Sequence, residues 1–523
     1  MKLKIIEVVA LTFLAVVSIR AEVKLPAIIG DHMVLQQGQA DPIWGWDAPG
    51  TKVTVVFSGQ TNSVIAGTDG KWTVKIAPLS ANATPEVMTI SGTTTREIKD
   101  VLVGEVWVCS GQSNMQFPLW NPGGFGGDNN GDLEAADASL PNLRLIMVPN
   151  VGTQVLQDDF KGQWQVSSPE SAGKFSAVGF LYGRYLCRIL GVPVGLVDNA
   201  WGGSAAEAWI RRSALESDSR FQKLMAAAIK KEAECQSTNA LKDYQAALAK
   251  WEIAVERARA ENVNPPYKPQ SPEDWLADNK RPGNIYNGVL HPIIGYGIKG
   301  VIWYQGESNA DRAGEYASLF PFLIEQWRKE WGQGDFPFYW VQLANFKDVQ
   351  SLPGESDWAE LREAQTKTMQ LTNTGQAVII DLGEGKDIHP KSKHDVAARL
   401  VRWALVKDYG MKMVFRSPEF KQLTLNSNQV VVEFNCFGSR LRPFGTDEVK
   451  GFAVCGEDKV WKWATGKIVG ENKVEVWSDK VPSPMAIRYA WADNPVCNLF
   501  SDEGLPVTPF REDDILKNKK NLK

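Results

Sequence analysis

Residues 106–115 read Val-Trp-Val-Cys-Ser-Gly-Gln-Ser-Asn-Met, an apolar run that leads directly into a glycine-containing turn with a serine in it. A short apolar run bounded by a turn signal is typical of a buried strand. Further runs of this kind, separated by segments with helical patterns, lie at 194–197, 301–304, 338–343 and 378–381. Buried strands that alternate with helices predict an α/β domain over residues 101–405, with a parallel sheet covered by helices.

The regions on either side of this domain have β patterning. In residues 22–100, Val53, Val55 and Phe57 alternate with other residues, and Asp69-Gly70 marks a turn. The C-terminal region, 406–523, returns to short alternating runs. We therefore expect β-sandwich-like regions before and after the α/β domain.

Residues 212–282 form a long polar stretch that predicts a helical insertion. Apolar residues recur there at spacings of three and four, first around Phe221 and then from Leu241 onwards, which predicts two amphipathic helices. Four prolines between Pro265 and Pro272 then indicate a loop. A solvated surface decoration is favoured over a lid or a partner surface.

The composition describes an ordinary globular protein with many tryptophans. Of 523 residues, 44% are hydrophobic and 23% are charged, which excludes a disordered chain, a collagen and a polytopic membrane protein. The net charge of −4 provides no excess of positive charge for binding a phosphate backbone, so no nucleic-acid partner is expected. The 20 tryptophans fit two interpretations equally, sugar binding by flat rings or large cores.

Residues 1–21 are typical of a signal peptide for export. Lys2 and Lys4 precede an apolar run over 8–18, and Ala21 is the candidate residue before cleavage. The run is too short to span a bilayer, so we expect a periplasmic or secreted protein without a membrane span in the mature chain. Six cysteines suit an oxidising compartment, and Cys436 and Cys455 are candidates for pairing.

The predicted strands end in residues that are suited to acyl transfer. Ligands of parallel α/β sheets bind outside the carboxyl ends of the strands. Ser113 follows the first strand as a candidate nucleophile, and its own N–H could contribute to an oxyanion hole. The second strand leads to Gly202-Gly203, where backbone N–H groups can approach a ligand. The last strand leads to His389, a candidate base, and to Asp387, which could hold its tautomer.

The third strand supplies amides and a carboxyl group. Gln305 and Asn309 could donate to an oxyanion, and Glu307 could orient a neighbour or bind a sugar hydroxyl. A glycosidase that uses Glu307 with Glu384 or Asp381 is an alternative that leaves Ser113 and His389 unexplained. A carbohydrate-binding protein on a disabled hydrolase fold is another. There is no HExxH motif, P-loop or dinucleotide fingerprint, so no metal and no cofactor is expected.

The chain resembles the sialate O-acetylesterase family, a branch of the SGNH-type hydrolases. The resemblance covers nearly the whole mature chain, from Asp31-His32-Met33-Val34-Leu35-Gln36 near its start to Arg488-Tyr489-Ala490-Trp491 near its end. Between these lie the four blocks at the predicted strand ends, which are Gly111-Gln112-Ser113-Asn114-Met115, Trp201-Gly202-Gly203, Gln305-Gly306-Glu307-Ser308-Asn309 and Asp387-Ile388-His389-Pro390.

This resemblance implies a flavodoxin-like three-layer α/β/α domain that removes O-acetyl groups from sugars, notably from the glycerol tail of sialic acid. It implies Ser113 as nucleophile and His389 as base. The third member would be Asp387, although SGNH enzymes usually place it three residues before the histidine rather than two, so a Ser–His dyad stays open, and Glu384 is a further candidate for the carboxylate. The oxyanion donors would be Gly203 (or Gly202) and either Gln305 or Asn309. Acetylated polysaccharide such as xylan is the alternative substrate.

Overall fold

The computed structural model describes residues 22–122, 127–426 and 428–513. The predicted signal peptide and its cleavage site after Ala21 lie outside the described residues. Within these ranges, none of the helices has both the length and the apolar character needed to cross a membrane.

The N-terminal region is all-β. Strand β3 pairs antiparallel with β4 and β6, β6 pairs antiparallel with β7, β1 runs parallel to β7, and β2 and β5 form a separate antiparallel ribbon. The strands are β1 Val34–Gln36, β2 Asp41–Trp46, β3 Lys52–Phe57, β4 Gln60–Ile65, β5 Lys71–Ile76, β6 Asn82–Ser91 and β7 Thr95–Gly111.

Strand β7 belongs to two parts of the molecule. Its first half pairs with β6, and its second half is the central strand of the α/β sheet. The strand therefore runs across position 100, where the sequence predicts a domain border. The two regions share a continuous backbone ladder rather than a flexible linker.

The α/β sheet has the strand order β13-β12-β11-β7-β10-β8-β9. All neighbours are parallel except β8 and β9. The added strands are β8 Leu140–Met147, β9 Gln165–Ser167, β10 Val194–Asp198, β11 Gly300–Tyr304, β12 Phe338–Val341 and β13 Thr374–Ala377. The predicted parallel sheet is present, with β8 as an additional strand. Strand β13 ends at Ala377, ahead of the predicted run 378–381, because its partner β12 ends opposite it at Val341.

Side chains of this sheet pack into two cores, one on each face. On β7, Val106 and Val108 belong to one core, while Trp107 and Cys109 belong to the other. Helices α9 and α10 cover the first face, and α4 and α11 cover the second. The helices are α1 Ser113–Gln116, α2 Gly131–Ala136, α3 Pro169–Lys174, α4 Ala177–Leu190, α5 Arg212–Ser217, α6 Gln222–Cys235, α7 Ala240–Ala260, α8 Pro272–Leu276, α9 Ala313–Trp331, α10 Asp357–Thr368 and α11 Lys393–Lys407.

The stretch 212–282 contains α5 to α8, and its two long helices, α6 and α7, match the two amphipathic helices that the sequence predicts. Helix α7 buries only Ala258 and exposes Leu241 and Ile253, so it lies largely in solvent.

The C-terminal region is a separate β unit. Seven of its strands form one antiparallel sheet with the order β14-β15-β19-β18-β17-β20-β22, whereas the sequence predicts two facing sheets; β16 and β21 form a small ribbon. The strands are β14 Glu419–Asn426, β15 Gln429–Asn435, β16 Leu441–Pro443, β17 Val449–Cys455, β18 Lys462–Ile468, β19 Lys473–Trp477, β20 Ala486–Tyr489, β21 Leu499–Ser501 and β22 Phe510–Glu512.

The cysteine pairing considered for Cys436 and Cys455 is wrong. All six cysteines are free thiols. Cys436 follows β15 and Cys455 ends β17, and these strands are separated in the sheet by β19 and β18.

Much of the tryptophan content serves the core. Trp107, Trp164, Trp209, Trp303, Trp327 and Trp340 are all fully buried. The ring of Trp303 packs against Trp209 and Trp327 at centroid distances of 5.5 and 5.7 Å. The core interpretation of the composition therefore accounts for at least these six residues.

Truncating Trp303 should destabilise the protein strongly. We expect Trp303→Ala to lower the free energy of unfolding by about 3–5 kcal/mol, because a large cavity would open between β11 and α9. The fully exposed Tyr267 provides the matched control, since Tyr267→Ala should change stability by less than about 0.5 kcal/mol. Denaturant midpoints of both variants measure the difference, and equal midpoints would contradict this account of the core.

Candidate active site

Ser113 lies at the carboxyl end of β7, at the first position of the short helix α1. The turn before it depends on Gly111, which has a φ of +129°, and a Cβ at this position would collide with the carbonyl of Tyr304 on β11. Only glycine therefore allows β7 and β11 to approach so closely at their ends. The sharp turn leaves the side chain of Ser113 half-buried just beyond the carboxyl end of the central strand.

The structure brings the predicted serine, histidine and aspartate together. Ser113 Oγ lies 3.0 Å from His389 Nε2. Asp387 Oδ1 accepts the backbone N–H of His389 at 2.9 Å and lies 3.4 Å from His389 Nδ1. The ring of Phe117 meets the imidazole edge-on, with centroids 4.5 Å apart. This arrangement suits the activation of a serine hydroxyl by a histidine.

Burial favours the neutral form of the His389 imidazole. Its side chain is 16% exposed, and desolvation lowers its pKa below the ordinary 6.5. Asp387 opposes this shift, while the nearby ammonium of Lys393 adds to it. A neutral imidazole is the form that can accept a proton from serine.

Gly202 of the glycine pair lies against the serine, since a Cβ on it would lie 3.4 Å from Ser113 Cβ. The N–H of Gly202 donates to Gln116 Oε1 at 2.7 Å, so that donor is already engaged. Gly203 has a φ of +75°, and among the described residues its N–H has no hydrogen-bond partner. The N–H of Ser113, in the first turn of α1, is likewise without a partner there. Of the two glycines, Gly203 is thus the one whose N–H is available to a ligand.

The amides of Gln305 and Asn309 are buried and engaged within the protein. Gln305 Nε2 donates to Asn309 Oδ1 at 2.7 Å and to the Ser204 carbonyl at 3.2 Å. Asn309 Nδ2 donates to Glu207 Oε2 at 2.9 Å, and its Oδ1 accepts the N–H of Ala206. None of these contacts involves Ser113. They hold the segment that follows the glycine pair, and a role for either amide at the oxyanion stays a prediction.

The carboxylates of the glycosidase alternative are engaged in different contacts. Asp381 forms a two-pronged ion pair with Arg399, at 2.6 and 2.7 Å. Glu307 Oε1 accepts Asn114 Nδ2 at 2.7 Å. Glu384 is exposed. This arrangement gives no independent support to a pair of carboxylates acting across a glycosidic bond.

Several residues at this site escape prediction from sequence. Asn114 lies in the same block as Ser113 and Gln116 directly follows that block, and this proximity is the signal that could have found them. Lys393 is 1% exposed and donates to Asn114 Oδ1 at 2.6 Å, which its place at the start of a helix does not reveal. Asn279 comes from the far end of the 212–282 stretch and donates to the Gly202 carbonyl at 2.5 Å.

Comparison with known proteins points to carbohydrate esterases. Residues 275–403 match the family model described as carbohydrate esterase, sialic acid-specific acetylesterase. The chain is 30% identical to the sialate O-acetylesterase of Mus musculus, over 93% of this chain and 94% of that one. It is 27% identical to the sialate O-acetylesterase of Homo sapiens, over 93% and 92%. The crystal structure of a carbohydrate acetylesterase from Xanthomonas citri is 36% identical, covers 94% of this chain and all of its own, and superposes with a TM-score of 0.78.

Covalent labelling of Ser113 by a fluorophosphonate should report the state of His389. Because burial lowers the pKa of His389, the neutral imidazole persists as the pH falls, and the labelling rate should remain high below pH 6.5. Rates measured from about pH 4 to pH 8 test this expectation. Ser113→Ala should not be labelled, while Ser237→Ala, in the exposed turn after α6, should label like the parent protein. A half-maximal rate at or above pH 6.5 would contradict the assignment.

Proposed function

The chain belongs to the sialate O-acetylesterase family of carbohydrate esterases, and on that premise we propose that it removes O-acetyl groups from sugars through an acyl-enzyme formed on Ser113. The contact between Ser113 Oγ and His389 Nε2, at 3.0 Å, carries this proposal. It joins a nucleophile and a base that are far apart in sequence. They meet at the carboxyl ends of the parallel strands, where ligands of such folds bind.

In the first half of the reaction, His389 Nε2 accepts the proton of Ser113 as Oγ attacks the acetyl carbonyl carbon. The tetrahedral intermediate then collapses, and the protonated His389 donates that proton to the departing sugar oxygen. In the second half, His389 takes a proton from water, the hydroxide attacks the acetyl-enzyme, and acetate leaves as the proton returns to Ser113.

The negative oxygen of the tetrahedral intermediate needs donors. The backbone N–H groups of Ser113 and Gly203 are suited to this role because both are without partners among the described residues. Loss of one such donor typically costs about 3–4 kcal/mol of transition-state stabilisation. Both N–H groups of Gln305 Nε2 are engaged, and Asn309 Nδ2 donates to Glu207, with neither amide in contact with Ser113, so the two backbone groups are the primary donors in this proposal.

Asp387 acts as the third member of a triad. Its carboxylate lies on the Nδ1 side of the imidazole and stabilises the imidazolium that forms during proton transfer. The two-residue spacing allows this because the same oxygen also accepts the backbone N–H of His389, which folds the short segment back on itself.

The substrate that we propose is an O-acetylated sialic acid, with the 9-O-acetyl ester as the reacting group. The mammalian relatives named above carry sialate O-acetylesterase as their name, and the bacterial one is called a carbohydrate acetylesterase. Acetylated polysaccharide is the alternative within the same chemistry. We further propose a flavodoxin-like three-layer arrangement for the α/β domain, and export of the chain by its N-terminal segment.

Acetate release tests the nucleophile and the substrate together. We expect release from 9-O-acetylated sialic acid, and we expect Ser113→Ala to abolish it, because Ser113 Oγ is the group that forms the acyl-enzyme in this mechanism. Ser237→Ala serves as the matched control and should behave like the parent protein. Release from acetylated xylan alone would move the substrate to polysaccharide, and undiminished release by Ser113→Ala would exclude the proposed nucleophile. Sugar binding without release from either ester would indicate a non-catalytic protein.

The variant Asp387→Asn separates a triad from a dyad. In a triad, kcat should fall by about 10²–10⁴, since the imidazolium loses its counter-charge and the tautomer is no longer held. In a dyad, the loss should stay within a few-fold. Glu384→Gln, three residues earlier on the same loop, is the matched control. Steady-state rates of acetate release on one ester distinguish the two outcomes.

A further inference from the structure

Asn114 lies at the meeting point of three strand-end segments. Its Nδ2 donates to Glu307 Oε1 at 2.7 Å and to the carbonyl of Ile388 at 3.1 Å. Its Oδ1 accepts Lys393 Nζ at 2.6 Å. All polar atoms of this side chain are therefore used, and the side chain itself is 1% exposed.

The two charged neighbours decide which way the amide of Asn114 points. The ammonium of Lys393 faces the amide oxygen, and the carboxyl group of Glu307 faces the amide nitrogen. A flipped amide would place an N–H against the ammonium and an oxygen against the carboxyl group, which is unfavourable at both ends. The observed orientation is therefore enforced, and with it the hydrogen bond from Nδ2 to Ile388.

The group that Asn114 holds is the peptide before the proposed base. The Ile388 carbonyl belongs to the peptide bond whose nitrogen is that of His389, and Asn114 itself follows Ser113 directly in sequence. One side chain thus ties the backbone next to the nucleophile to the backbone next to the base. Displacing a reacting group by about 1 Å can cost about 10²-fold in rate, so this tie bears on catalysis.

We infer that Asn114, oriented by Lys393 and Glu307, is a positioning residue that holds His389 at hydrogen-bond distance from Ser113. The inference rests on the proposed function, because it assigns no group that touches the substrate. It also accounts for Glu307, which the acyl-transfer mechanism leaves without a role.

The groups around Lys393 are suited to a buried ammonium that orients Asn114. Its Nζ lies 5.4 Å from the centre of the Tyr304 ring, which offers a cation–π contact. Burial lowers its pKa to about 7, against the opposing effects of Glu307, Asp128, Asp387 and Glu384. Burial also raises the pKa of Glu307, whose Oε2 is buried and has no hydrogen-bond partner. Each charge is costly alone and is stabilised by the other across the amide.

Lys393→Met and Glu307→Gln, alone and combined, test the inference in the full-length protein. We expect Lys393→Met to lower kcat for acetate release by about 10- to 100-fold with KM nearly unchanged, because the substrate is not contacted. The acid limb of kcat/KM should also move to higher pH, since removal of a nearby cation raises the pKa of His389. Lys299→Met is the control, because Lys299 lies just before β11, at the amino ends of the parallel strands. This variant should leave kcat and the acid limb of kcat/KM unchanged.

The double variant keeps the test independent of folding losses. If Lys393 and Glu307 act on the same amide, the loss in Lys393→Met/Glu307→Gln will be smaller than the product of the two single losses. Losses that multiply, or single variants with parental kcat and pH profile, would overturn the inference. Its failure is distinct from failure of the proposed function, since retained acetate release in Ser113→Ala overturns the latter.

Discussion

The pairing of β7 with β6 in its first half and with β10 and β11 in its second half is the constraint on which the rest of the structure depends. Seventeen residues of one strand hold the N-terminal sheet at one end and the centre of the α/β sheet at the other. Since backbone ladders fix register, the end of β7 cannot shift without disturbing both sheets. Ser113 follows that end directly, so its position is set by a strand that both sheets share.

The loop that carries His389 is held near Ser113 by hydrogen bonds to segments that are distant in sequence. Asn345 accepts the N–H of Gly383 at 2.6 Å, ahead of the loop that carries His389, and donates to Asn494 Oδ1 at 2.9 Å. Arg362, which is fully buried, donates to the carbonyls of Ala492 and Asp493. The C-terminal β unit therefore supports the loop that carries His389, and the geometry between Ser113 and His389 depends on contacts from outside the α/β domain.

Sequence patterns predict the parts of this structure that depend on local rules. Apolar runs between helical segments identify the parallel sheet, and the strand-end rule selects Ser113, the glycine pair and the Asp387–His389 segment. Strand β8 escapes prediction because Pro141 and Asn142 interrupt its apolar pattern. The contacts of Gln305, Asn114 and Lys393 escape it because direction and burial of a side chain depend on packing between segments far apart in sequence. Cys436 and Cys455 show the same limit, since strand order in the C-terminal sheet separates them.

The 212–282 stretch contacts the candidate site near its C-terminal end, where Asn279 donates a hydrogen bond to the Gly202 carbonyl. Helix α6 packs Leu224 and Met225 into the core and α7 lies largely in solvent, whereas Asn279 near the end of the stretch contacts the glycine loop beside Ser113. A reporter or affinity module would therefore be grafted into the short turn between α6 and α7, at 236–239, where backbone contacts with the site are absent among the described residues. The same graft next to Asn279 would disturb the glycine loop beside Ser113 directly.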